Sequence, residues 1–107
     1  MANNYKNAKV DLKDTNANVL YTAPSATTSL IKSILVSEDS GNADTITVTI
    51  TDATSVIFSI FKVKAIGANT TVELLTEPLV VQENEIIKVT AATANRLHVV
   101  ASLLEIS

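Results

Sequence analysis

His98 is the one histidine in 107 residues, and imidazole is the side chain that titrates nearest neutral pH. A general base also needs a nucleophile and an orienting acid within reach. His98 instead falls in an alternating apolar segment, sharing a face with Val100, Ser102 and Leu104, so it is expected to be structural or solvent-facing. Zinc would need further nitrogen or sulfur ligands, and the chain has no cysteine. That also excludes disulfides, iron–sulfur ligation and cysteine nucleophiles. The segment Glu38-Asp-Ser-Gly-Asn-Ala-Asp44 offers three carboxylates and an asparagine carbonyl, the hard oxygen ligands that calcium takes. Its spacing does not match an EF-hand loop, and turn chemistry alone accounts for Asp, Gly and Asn there. Glu83 and Glu85 flank Asn84 in a predicted tight turn. Paired carboxylates of a glycosidase work across a cleft, for which a chain this short leaves little room, so these two are expected to be ordinary turn carboxylates. No catalytic residue, cofactor site or metal site is assigned.

Binding chemistry is equally sparse. The cations Lys6, Lys9, Lys13, Lys32, Lys62, Lys64, Lys88 and Arg96 are scattered, and aromatics are 4% of the chain with no tryptophan. A nucleic-acid surface interleaves such charges with stacking aromatics, so no nucleic-acid partner is expected. Sugar-binding modules lay rings on exposed Trp or Tyr. Only Tyr5 and Tyr21 are available for that here, beside two phenylalanines that the strand pattern assigns to the core. There is no glycine-rich phosphate loop, G-x-S-x-G elbow or H-E-x-x-H motif. Asn69-Thr-Thr71 is a formal glycosylation sequon, expected to be a polar turn.

The elements that would position these residues are strands. Thr45-Ile-Thr-Val-Thr-Ile-Thr51 alternates Ile46, Val48 and Ile50 on one face with Thr45, Thr47, Thr49 and Thr51 on the other, the period-2 pattern of a half-buried strand. Ser29–Ser37 predicts a strand before it, and residues 38–44 form a hairpin loop or a crossing between sheets. Val56–Lys64 predicts a long strand with both faces partly covered. Strands follow at Thr71–Leu75, Leu79–Gln82 and Ile86–Thr90, with Gly67-Ala-Asn69, Thr76-Glu-Pro78 and Glu83-Asn-Glu85 as breaks. Upstream, Val19–Thr22 makes a strand stopped by Ala23-Pro24, and Lys9–Leu12 starts the series. Arg96–Ile106 is expected to close the fold as a strand, although Leu97, Val100, Ala101 and Leu104 also satisfy helical spacing. Turn signals every 8 to 12 residues without a βαβ alternation predict an all-β protein, a single β-sandwich or jelly roll of about eight short antiparallel strands. Residues 1–8 are expected to form a polar N-terminal arm and residues 9–107 the sandwich domain.

Hydrophobic residues make up 47% and charged residues 18% of the chain, with a formal net charge of −3. Average domains carry about 25% charge, and no apolar run reaches the roughly 18 residues of a membrane helix, so no membrane partner is expected. A chain so poor in charge is expected to hide apolar surface against copies of itself or a larger assembly. The opening residues lack the apolar run of a secretory signal, which predicts a protein made and kept in the producing cell's cytoplasm. Contacts in such an assembly are expected from Asn3, Asn4, Tyr5, Lys6 and Asn7 of the arm, extended over a neighbour, and from outward Thr45, Thr47, Thr49 and Thr51.

The succession Leu20-Tyr-Thr-Ala-Pro24, Thr27–Ser37, Thr45–Thr51, Leu75-Thr-Glu-Pro-Leu-Val-Val81 and Glu85-Ile-Ile-Lys-Val89 resembles small β-sandwich virion structural proteins of tailed bacteriophages, especially those of aquatic bacteria. The likeness spans nearly the whole chain and rests on strand and turn patterns. It implies a non-enzymatic capsid decoration or cement protein, assembled in the bacterial host cytoplasm and residing on the virion. Its implied partners are itself, as a homotrimer, and the major capsid protein. The alternatives are a neck, tail or fibre accessory subunit of the particle and, from another class, a small glycan- or ligand-binding module.

Overall fold

The computed structural model describes residues 2–107. The chain is all-β. Nine strands, β1 (Asn3–Asp11), β2 (Asn18–Thr22), β3 (Thr28–Glu38), β4 (Asp44–Thr51), β5 (Ile57–Ile66), β6 (Thr71–Glu73), β7 (Leu79–Val81), β8 (Ile86–Ala91) and β9 (Leu97–Ile106), form two antiparallel sheets. One sheet runs β1-β9-β3-β6, with β7 also on β3, and the other runs β2-β8-β4-β5. The accessible surface is 5811 Å², close to the roughly 5,700 Å² that area scaling gives a folded monomer of this mass.

The topology has a simple origin. Strands β6 and β7 both pair with β3, at residues 35–37 and 29–31, so they act as two halves of one interrupted strand. Counted that way there are eight, and the pairings β1:β9, β2:β8, β3:β6/β7 and β4:β5 are those of one long hairpin rolled up so that alternate rungs fall in opposite sheets. Rolling then adds β9 beside β3 and β8 beside β4. This is the jelly-roll order. The segment 38–44 accordingly crosses between sheets.

The core follows the period-2 pattern. Ile31, Ile34 and Val36 of β3, Ile46 and Val48 of β4, Ile87 and Val89 of β8, and Leu97, Val99 and Ala101 of β9 are all fully buried. Helical spacing in the last segment thus loses to strict alternation, because β9 is paired on both sides.

The interruption of the β6/β7 strand and a bulge in β3 are coupled. The register of β3 against β9 slips between Ile31 and Ser33, adding Lys32, and on the other side of β3 the gap between its pairings with β6 and β7 leaves the Ile34 N–H without a ladder carbonyl. Glu73, the last residue of β6, accepts that N–H at 2.8 Å and the Leu75 N–H at 3.1 Å, and also bonds the Ser33 hydroxyl. Burial opposes ionisation of Glu73, but these donors outweigh it and lower its pKa.

Three expectations need correction. Residues 3–8 are no free arm: they belong to β1, whose register with β9 is continuous from Asn3↔Ile106 to Asp11↔His98. Asparagine-rich sequence is a poor strand former, but β9 would otherwise present ten residues of unpaired edge, and that tertiary pairing prevails. Met1 lies outside the described residues. The β5 strand is covered only at its centre, where Ile60 and Phe61 are half-buried against the core; it is the edge of its sheet, and Ile57, Phe58 and Val63 are more than half exposed. Phe58 is therefore no core residue, whereas Phe61 is half-buried against the core.

Candidate functional site

The outer face of the five-stranded sheet is the broadest feature that the fold builds. Outward residues of neighbouring strands line up in rows, and one row is apolar throughout: Tyr5 of β1 opposes Leu104 of β9, Leu104 opposes Leu30 of β3, and Leu30 opposes Val80 of β7. Tyr5 is 76% and Val80 52% exposed, with Leu30 and Leu104 half-buried between them. A second row joins Lys9, Val100, Leu35 and Glu73. The bulge at Lys32 brings its ammonium 5.5 Å from the centre of the Tyr5 ring, a cation–π distance. Strand registers set these rows, so no local pattern in the chain announces them.

The five expected arm contacts divide between the two faces of β1. Tyr5 and Asn7 point outward with Leu104 and Ser102, and Asn3 shares that parity. Lys6 lies on the other side and reaches Glu105 at 3.5 Å, and Asn4 is the register partner of Glu105. Glu105 belongs to a polar cluster that sequence reasoning missed. The Tyr21 hydroxyl donates to the Glu105 carboxylate at 2.5 Å and lies 2.6 Å from the Ser29 hydroxyl. Tyr21, Ser29 and Glu105 are all buried. Burial and the adjacent Glu105 push the Tyr21 pKa up to about 12. The cluster ties β2 of one sheet to β3 and β9 of the other. It also removes Tyr21 as a sugar platform, leaving Tyr5.

The threonines behave unequally. Thr45, Thr47 and Thr49 are partly exposed on the outer face of the four-stranded sheet, as expected. Thr47 is already engaged, its hydroxyl accepting the Val63 N–H at 3.1 Å. Thr51 corrects the expectation: it is 8% exposed, and its Oγ1 has no hydrogen-bond partner. Its register neighbours Ile57 and Ile86 flank it on both sides, which removes it as a surface contact.

Glu38, Asp44, Glu83, Glu85 and His98 are committed to turns, loops and surface pairs. Glu38 is 2% exposed and accepts N–H bonds from Ser40 at 2.8 Å, Gly41 at 3.0 Å and Asn69 at 3.1 Å, with the Ser40 hydroxyl at 2.5 Å. Burial alone would raise its pKa, but these four donors hold it at about 2. A carboxylate so filled organises the 38–44 loop from within. Asp44 accepts the Thr93 N–H at 3.1 Å. Glu83 takes the Ala26 N–H and Glu85 the Gln82 N–H, each at 2.7 Å, so both carboxylates fasten their turn. His98 sits at the surface between Asp11, 3.2 Å from Nε2, and Asp39, 3.5 Å from Nδ1. Among the described residues no group of three or more acidic or histidine side chains is arranged to hold a metal ion.

The second exposed apolar feature is the β5 edge. Val56 is 48%, Ile57 62%, Phe58 54% and Val63 61% exposed. Sequence reasoning saw the apolar content of this strand but not its position at the rim. Surface concavities, of about 300, 380 and 240 Å³, are shallow and open. The first lies beside Tyr5, Asn7, Lys32 and Ser102. In comparisons with known proteins, no family model and no curated protein matches this chain.

Proposed function

We propose that this protein is a non-enzymatic structural component of a bacteriophage virion, a capsid decoration or cement protein that associates with itself and binds the major capsid protein on the head exterior. The observation that carries the reading is the apolar row Tyr5–Leu104–Leu30–Val80, which crosses four strands of one sheet face. A face that carries an apolar row with Lys32 and Asn7 beside it has the mixed composition of a protein-docking surface. The jelly-roll order and the resemblance of the strand and turn patterns to phage virion proteins support the same reading. Bridging neighbouring shell subunits would stabilise the shell by mass action, because the decoration binds only the assembled state.

The test is the copy number of this chain per purified virion relative to the major capsid protein, by quantitative mass spectrometry. One copy per capsid subunit, or a simple fraction repeated over the lattice, is the expected result. A few to a few tens of copies would place the protein at the neck, tail or fibres instead. Absence from particles would overturn the virion reading. It would turn attention to Tyr5 and its adjoining concavity as a glycan- or ligand-binding surface.

A further inference from the structure

We infer that the β5 edge is a two-fold contact between two copies of this chain, centred on Ile60. The inference deepens the self-association in the proposed function but does not depend on the virion assignment. Three observations carry it.

The first is the concentration of exposed apolar surface. Of the nine large hydrophobic side chains that stand exposed among the described residues, four lie within the eight residues Val56–Val63. At their fractional exposures these four leave roughly 400 Å² per copy in water, the size of the largest apolar patch on a typical monomer, which is often functional. Pairing the patch with itself removes about 800 Å² before backbone and rim are counted, which approaches the ~1,200 Å² at the lower end of specific interfaces. A two-fold contact is the arrangement in which one patch serves both partners.

The second observation is spacing. Ile57 and Val63 lie three residues to either side of Ile60, so antiparallel apposition of two β5 strands about Ile60 sets Ile57 of each copy against Val63 of the other. The same register places Phe58 against Lys62, a pairing in which an ammonium can lie over an aromatic ring. The spacing thus lets the apolar side chains of the edge meet their own counterparts across a two-fold axis.

The third observation explains why such a contact stops at two copies. Long exposed edges invite open-ended sheet growth, and bulges prevent it. The β5 strand carries two, since its register against β4 slips between Ile46 and Val48 and again between Val48 and Thr49, each time with one extra residue on β5. At the first slip Val63 adopts a φ of 51°, rare for a β-branched residue, and its N–H turns to the Thr47 hydroxyl instead of a ladder carbonyl. The two bulges interrupt the regular ladder geometry along the edge while its apolar side chains stay exposed. The contact is therefore made by side chains and closes on itself. A two-fold contact differs from the threefold arrangement that the phage resemblance implies.

The experiment is the mass of the purified full-length protein in solution, by sedimentation and light scattering from about 1 to 200 μM. Wild type is expected to form a dimer. Ile57→Lys and Val63→Lys, each at a site already in water, are expected to weaken it at least tenfold while the thermal transition of the monomer stays in place. Phe58→Ser serves as a second variant should either lysine perturb folding. Val19→Lys, at an equally exposed site on β2 at the opposite edge of the same sheet, is expected to leave the dimer intact. A monomer throughout this range, a trimer, or a dimer that survives Ile57→Lys and Phe58→Ser would overturn the inference. None of these outcomes bears on whether the protein is present in virions, which the copy number decides separately.

Discussion

The carboxylate of Glu38 accepts the backbone N–H of Asn69 at 3.1 Å across thirty-one residues, joining the crossing after β3 to the turn before β6. The Glu38 N–H bonds the Thr70 carbonyl at 2.9 Å in the same place. One buried acid thereby holds two loops that the rolled-up topology brings to one end of the sandwich. The sequence Glu38-Asp-Ser-Gly41 supplies the acid and three of the four donors that hold it ionised, and Asn69 supplies the fourth.

Glu38 makes stability depend on acid pH. Its folded pKa of about 2 lies below the ordinary value of 4.5, so the unfolded chain binds the proton first. The stabilisation is fully present above about pH 4.5 and drains away as pH falls toward 2. Glu38→Gln should lower the melting temperature at pH 7, because an amide NH₂ would face backbone donors, and should flatten the decline of stability between pH 4.5 and 2. Thermal melts of both proteins across that range measure the difference.

Deleting residues 2–8 should destabilise the domain. The deletion removes six of the nine register pairs of β1 with β9, together with the Lys6–Glu105 ion pair, and bares an edge of β9 beside the core residue Leu103. A loss of at least about 2 kcal/mol is expected from the uncovered apolar surface and exposed ladder. A denaturant melt unchanged by the deletion would show that β1 is dispensable to the sandwich.

The alternating strands were legible because burial on one face leaves a period-2 trace: Ile46 and Val48 against Thr45, Thr47 and Thr49 give β4 its face and its partners their register. The break at residues 38–44 and the break at Thr76-Glu-Pro78 were legible through turn residues and through Pro78, which has no N–H to donate, but not whether residues 38–44 turn a hairpin or cross between sheets. What alternation does not encode is a strand's place in the sheet. Phe58 and Ile57 have the composition of a core strand and lie at the rim, while Asn3 to Asn7 look like a solvated tail and lie in a sheet. The row Tyr5–Leu104–Leu30–Val80 is drawn from four distant segments, and so is the Tyr21–Ser29–Glu105 cluster. Both exist only once the hairpin has rolled up.

Tyr21 predicts behaviour at the alkaline end. Its folded pKa of about 12 lies above the ordinary value of 10, so the unfolded chain loses its proton first and this stabilisation, complete below pH 10, disappears as pH rises toward 12. Tyrosinate absorbance should therefore show a phase near pH 12 that Tyr21→Phe abolishes. The same substitution leaves the buried Glu105 without its closest donor, at a cost of about 1–3 kcal/mol at neutral pH. Chemical denaturation of the two proteins at pH 7 supplies that figure.

Thr51 predicts a gain. Its hydroxyl is buried between Ile57 and Ile86 with no hydrogen-bond partner, and an unmet polar atom costs free energy that a methyl group of the same shape does not. Thr51→Val keeps the branched outline and the strand preference, so it should stabilise the monomer by up to about 1 kcal/mol. A Thr47→Val control should do the opposite, since that hydroxyl accepts the Val63 N–H at the β5 bulge. Opposite shifts in the thermal midpoints of two threonines on one strand would show that each hydroxyl acts through its own partner, or lack of one, and not through the threonine coat as a whole.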